Sequence, residues 1–140
     1  MAKNRDRNRH VVDMVRFALG DNAEKNRLLG YTLEFSDENI IIAAQLAADY
    51  VNDYGAFKTG YTIESCPISM LVKGTIVYLY KAKISEKARN TLIANDGGIA
   101  TNREGNLQIY QSILQGYEGE FITMIAEHKT IENIRNAWRI

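Results

Sequence analysis

Three observations predict an all-α fold for this chain. Proline occurs once, at Pro67, where average usage of about 5% would place about seven in this length. Apolar residues recur at three- and four-residue spacing over long unbroken stretches. Helix start and stop signals bound those stretches: Gly20, Ser36-Asp37-Glu38, Gly55 and Cys66-Pro67. Together they predict a helical bundle of about four helices. It has a long central helix, a loop-rich region between the first two helices and an extended C-terminal tail. The 140 residues suit one domain. Residues 1–9 read as a basic N-terminal arm, 10–128 as the helical domain, and 129–140 as a tail suited to docking on a partner.

The elements follow in order. Residues 1–9 carry Lys3, Arg5, Arg7 and Arg9 against one acid, which suits either a solvated terminus or an arm that contacts phosphate or an acidic partner. Val11, Val15 and Ala18 or Leu19 then repeat at helical spacing up to Gly20, a favoured C-cap residue. Asp21 to Phe35 is a long connection. Its Leu28, Leu29, Tyr31 and Phe35 are too apolar for a free loop, so they pin it to the core or to a neighbouring subunit. Ser36 is an N-cap, with Asp37 and Glu38 where the helix dipole favours acids. Ile40, Ala43, Ala44 and Ala47 form the buried face of that second helix, and Gly55 ends it.

A loop follows, with Phe57 and Tyr61 as aromatic anchors. Pro67 suits a first helical position, because its missing N–H would have no partner there. From Ile68 to about Ile93 the only breaker is Gly74. The first half of this helix is apolar on every face, the mark of a central helix. Thr101 or Asn102 can cap the last helix, which carries Leu107, Tyr110, Tyr117, Phe121, Met124 and Ile125. Gly116 and Gly119 weaken it locally, by about 1 kcal/mol each against alanine. The chain ends on Ile134, Trp138 and Ile140.

Composition narrows the function. Seventeen basic residues cancel seventeen acidic ones, which disfavours a uniformly basic DNA-binding domain. The charges are segregated: residues 1–20 hold five bases and two acids, and residues 21–60 three bases and seven acids. Opposite-signed segments of this kind suit asymmetric contacts between subunits. Cys66 is the sole cysteine, so neither an intrachain disulfide nor a cysteine zinc site is expected, and the chain suits a reducing compartment. No apolar run approaches the roughly 20 residues of a membrane span, and the basic start lacks the apolar stretch of a signal peptide. No phosphate-loop or nucleophile-elbow motif occurs. Asp96-Gly97-Gly98 reads as an interhelical turn, Asp49 and Asp53 as a solvated pair, and Cys66 as a buried small residue. Neither a catalytic nucleophile–base pair nor a cofactor or metal is expected.

Several segments in order carry a family resemblance. Asn26-Arg27-Leu28-Leu29-Gly30, Glu34-Phe35-Ser36-Asp37-Glu38 and Asp49-Tyr50-Val51-Asn52 come first. Ala88-Arg89-Asn90, Asp96-Gly97-Gly98, Tyr110, Tyr117 and Lys129, Asn133, Ile134 to Trp138 follow. The set resembles the head-to-tail connector, or adaptor, proteins of the tailed-bacteriophage neck. The resemblance implies a mostly helical subunit of a homo-oligomeric ring, commonly of twelve copies, beneath the portal protein. It implies tail or neck proteins as further partners, DNA passing through the hole with non-specific contact, and a place in the virion neck after assembly in the host cytoplasm. Head- or tail-completion ring proteins are the neighbouring reading. A small nucleic-acid-binding regulator using Lys3, Arg5, Arg7 and Arg9 is the reading of another class. Residues 1–9 and Gly55 to Gly60 match no pattern of the family. On the connector reading, Leu28, Leu29, Tyr31, Phe35, Phe57, Tyr61, Ile134, Trp138 and Ile140 are the candidate subunit or portal contacts.

Overall fold

The computed structural model describes residues 2–26, 30, 32–95 and 103–139, without the side chains of 2–4, 91–95 and 103–106. Four helices follow one another: α1 (Ala2–Leu19), α2 (Asp37–Asp53), α3 (Ile68–Asn95) and α4 (Arg103–Ala137). The all-α bundle with a long central helix is therefore observed. The cap at Thr101 or Asn102 and the turn at Asp96-Gly97-Gly98 lie outside the described residues, as do Leu28, Leu29, Tyr31 and Ile140.

Local chemistry sets the helix boundaries. At the end of α1, Gly20 takes φ 66°. The Asp21 amide bonds back to the Arg16 carbonyl at 3.0 Å and the Gly20 amide to Phe17 at 3.2 Å, the paired bonds of a glycine-terminated helix. Ser36 caps α2, its hydroxyl accepting from the Asn39 amide at 3.2 Å.

Two boundaries differ from the sequence reading. Residues 2–9 are the first half of α1 rather than an arm. Arg7 explains part of this: its guanidinium donates to the Ile63 carbonyl at 3.3 Å and to the Cys66 carbonyl at 3.0 Å. That contact holds the polar half of the helix against the loop before α3. At the other end, α4 runs unbroken through Lys129 to Ala137, so most of the expected extended tail is helix.

α3 is the axis, with α1, α2 and α4 all packed on it. The core joins Val11, Val12 and Val15 of α1, Ile40 to Val51 of α2, Met70 to Leu79 of α3, and Phe121 and Ile125 of α4. Of the two expected ends of the α1 stripe, Leu19 packs against the core and Ala18 is exposed, and Val12 adds to the buried face. Among the described glycines, Gly74 is the one closely surrounded. A β-carbon there would stand 2.5 Å from Phe121 Cζ and 2.7 Å from Ala47 Cβ, so three helices meet where one has no side chain. Beyond the core, the α3–α4 seam continues as a tyrosine cluster, Tyr80 stacked on Tyr117 at 6.1 Å and tilted against Tyr110 at 5.9 Å. Salt bridges from Lys73 to Glu120 and from Lys81 to Glu118 flank it.

Substitution of Gly74 by alanine tests this crossing. Its helix-propensity gain of about 1 kcal/mol is outweighed by overpacking, leaving a net loss of about 1–2 kcal/mol. Gly116→Ala and Gly119→Ala meet open space and raise stability by up to about 1 kcal/mol each. Urea unfolding of the three variants reads both signs.

Candidate interaction surfaces

The residues expected to face partners separate into three groups. Phe35 belongs to the core, with 8% exposure, so it is withdrawn as a partner contact. Its backbone is held there: its carbonyl accepts from Arg16 Nη2 at 2.8 Å, and its amide donates to Asp21 at 3.3 Å. Asp21 is the buried hub of the connection. Its carboxylate also accepts from Arg16 Nη1 at 2.7 Å, Asn26 Nδ2 at 2.7 Å and the Glu34 amide at 2.8 Å. Arg16 reaches on to Asp37 at 2.5 Å. One arginine thus ties the end of α1 to the start of α2 through the loop between them.

The second group surrounds the loop 54–65. Phe57 is exposed, whereas Tyr61 is half-buried with its hydroxyl 2.8 Å from His128 Nε2. Burial, with lesser effects from Glu132 and Cys66, raises the Tyr61 phenol above its ordinary value. It stays protonated at neutral pH, a linker between loop and α4 rather than a base. Asn52 clasps the same loop. Its Oδ1 accepts from the Tyr61 amide at 2.7 Å and the Thr59 hydroxyl at 2.9 Å, and its Nδ2 donates to the Tyr61 carbonyl at 2.8 Å.

Lys129 completes the clasp from α4. It is buried, and its Nζ donates to the carbonyls of Tyr54 at 2.6 Å, Phe57 at 2.8 Å and Asn52 at 3.3 Å. A cation here also opposes the partial negative charge of the α2 C-terminus. Burial, then Lys58, lowers the ammonium below its ordinary value, while Asp53 opposes them. Sequence reading missed Lys129, although it stands four residues after Ile125 and eight after Phe121 on the buried face of α4.

The third group faces solvent. Trp138 is 84% exposed and Ile134 is also exposed, so neither packs on the chain's own core. Ile131 joins them to make an outward stripe at 131, 134 and 138. Phe17, 88% exposed, and Met14, 39% exposed, stand one turn apart on α1. Among the expected basic contacts, Arg5 and Arg9 are exposed one turn apart on α1, Arg7 is turned inward, and the Lys3 side chain lies outside the described residues.

Among the described residues no group of three His, Cys, Asp or Glu stands together as a metal site, and no described helix is long and apolar enough to cross a membrane. Asp49 is exposed, and Asp53 lies 3.9 Å from Lys58.

Comparison with protein-family models, curated proteins and solved structures found no match. The function is therefore read from this chain's own residues.

Two outcomes follow from these clasps. Lys129→Met keeps the apolar stem but takes the ammonium donor from the Tyr54 and Phe57 carbonyls, while the Asn52 carbonyl keeps the Thr59 amide at 3.2 Å. It costs about 2–3 kcal/mol and opens the loop 54–60 to proteolysis, read by urea unfolding and limited digestion. Cys66 is 1% exposed, and burial pushes its thiol up to about 11, with Arg7 opposing. At pH 8 a thiol reagent modifies it only as fast as the fold opens. The unfolded thiol ionises near 9 and the folded one near 11. Unfolding therefore releases a proton between those values, and the thiol's contribution to stability falls as pH rises through that window.

Proposed function

We propose that this chain is a structural subunit of a phage head-to-tail connector, built to assemble rather than to catalyse. The observation that carries the reading is the exposed stripe Ile131, Ile134 and Trp138 where α4 ends. A tryptophan left in solvent is typical of an anchor awaiting a pocket. The ordered segments that resemble the connector family support the same reading, and so does zero net charge, which lets copies accumulate with little repulsion. The proposed assembly is a ring of about twelve copies by that resemblance, seated between the portal and the tail with DNA passing through. A head- or tail-completion ring is the close alternative.

The second reading, a nucleic-acid-binding regulator, draws on exposed Arg5 and Arg9. It has lost Arg7, which is engaged with the Ile63 and Cys66 carbonyls. Two measurements separate the readings. On the connector reading the protein is found in purified virions in multiple copies per particle, and Arg5→Ala with Arg9→Ala leaves that number unchanged. Absence from virions, together with salt-dependent DNA affinity lost in the double variant, supports the regulator instead.

A further inference from the structure

We propose that the end of α4 docks on the outer face of α2 in a second copy of this chain, as a head-to-tail contact. The inference deepens the subunit reading above by naming which face receives which. The receiving face is a groove between α2 and α3, with a cavity volume of about 240 Å³, lined by Asn39, Ile42, Leu46, Tyr78 and Leu79. Ile42 and Leu46 stand one turn apart and are 55% and 45% exposed. The inserting face is Ile131, Ile134 and Trp138, on the side of α4 turned away from Phe121, Ile125 and Lys129.

Charge selects the partner. Along α2, Glu38 and Asp49 are exposed, Asp37 is paired with Arg16 at 2.5 Å, Asp53 lies 3.9 Å from Lys58, and the helix has no lysine or arginine. The groove adds Glu34 and Glu86 against Lys83, which lies 3.8 Å from one and 4.0 Å from the other. On the other side, Arg135 and Arg139 are exposed beside the stripe, and Glu132 is 3.3 Å from Arg135. An acidic apolar groove and a basic apolar helix end are complementary in both properties.

Geometry makes the contact intermolecular. Ala47 and Phe121 share the Gly74 crossing, and Lys129 reaches the Tyr54 carbonyl, so α4 runs along α2 in the same direction and past its C-terminus. Ile42 is twelve residues before Tyr54, and Trp138 is nine beyond Lys129. At 1.5 Å per residue the stripe ends roughly 30 Å from the groove of its own chain. A patch that cannot reach its complement in the same copy meets it in the next, and repetition gives a ring or a filament.

Mixing two defective variants tests this. Ile134→Ser with Trp138→Ser removes the stripe, and Ile42→Lys with Leu46→Lys removes the groove. All four positions are exposed, and thermal unfolding checks that both variants fold. Sedimentation velocity then compares wild type, each variant and their equimolar mixture. The wild type is expected to assemble with concentration, and each variant alone to do so about thirty-fold more weakly. The mixture is expected to give a one-to-one dimer, because only one intact stripe and one intact groove remain. Variants that assemble like wild type overturn the contact while leaving the subunit reading intact. A mixture with no dimer overturns it too, as does a wild type that stays monomeric at every concentration. Presence in virions remains the separate test of the subunit reading.

Discussion

The bundle depends on one close approach. At Gly74, in the second turn of α3, there is no side chain, and Phe121 from one side and Ala47 from the other fill the space that a β-carbon would need. Interiors are packed too densely to absorb an extra atom without displacement. The position of this glycine therefore sets how α2 and α4 cross the central helix. Small residues on α2, Ala43, Ala44, Ala47 and Ala48, are all buried and let the backbones come near. Phe121 supplies the bulk that the glycine lacks, and it extends the contact to Tyr50 at a ring separation of 5.6 Å.

With the crossing fixed, the ends of the elements are held by polar groups that each gather several partners. Asp21 accepts from one arginine, one asparagine and two backbone amides. Lys129 donates to three carbonyls at the end of α2. Both are buried charges whose hydrogen-bonding capacity is used inside the fold, the condition under which a buried charge is tolerated. They also hold residues 21–26 and 34–35 before α2 and residues 54–57 after it. Rigid ends, in turn, make the outward faces of α2 and the last turns of α4 fixed surfaces.

Much of the fold was legible in the sequence. Ser36, Asp37 and Glu38 announced α2, and the buried face Ile40, Ala43, Ala44 and Ala47 followed from spacing. The apolar first half of α3 marked the central helix for the same reason. What was not legible had a nonlocal cause. Residues 2–9 looked like an arm because nothing apolar supports a helix there; part of the support comes from carbonyls 56 and 59 residues away. Phe35 looked like a surface anchor because its neighbours are loop residues, yet Arg16 and Asp21 draw it inward. Lys129 read as the start of a tail because a lysine does not signal burial; the three carbonyls that hold it come from a different helix and loop. Of the candidate partner contacts, Trp138 and Ile134 are exposed, because the helix that leads to them runs past the core it packs on.

The proposed role joins these levels: a glycine crossing makes a rigid bundle, and the bundle holds a basic apolar helix end and an acidic apolar groove roughly 30 Å apart by helix rise. Hydrogen exchange at dilute and assembling concentrations, followed peptide by peptide, tests this most directly. Assembly through those two faces predicts new protection at residues 38–49, 78–86 and 130–139, while the first turns of α3 up to Gly74 are already protected in the dilute protein and do not change. Protection gained elsewhere on the surface, or none at any concentration, would contradict it.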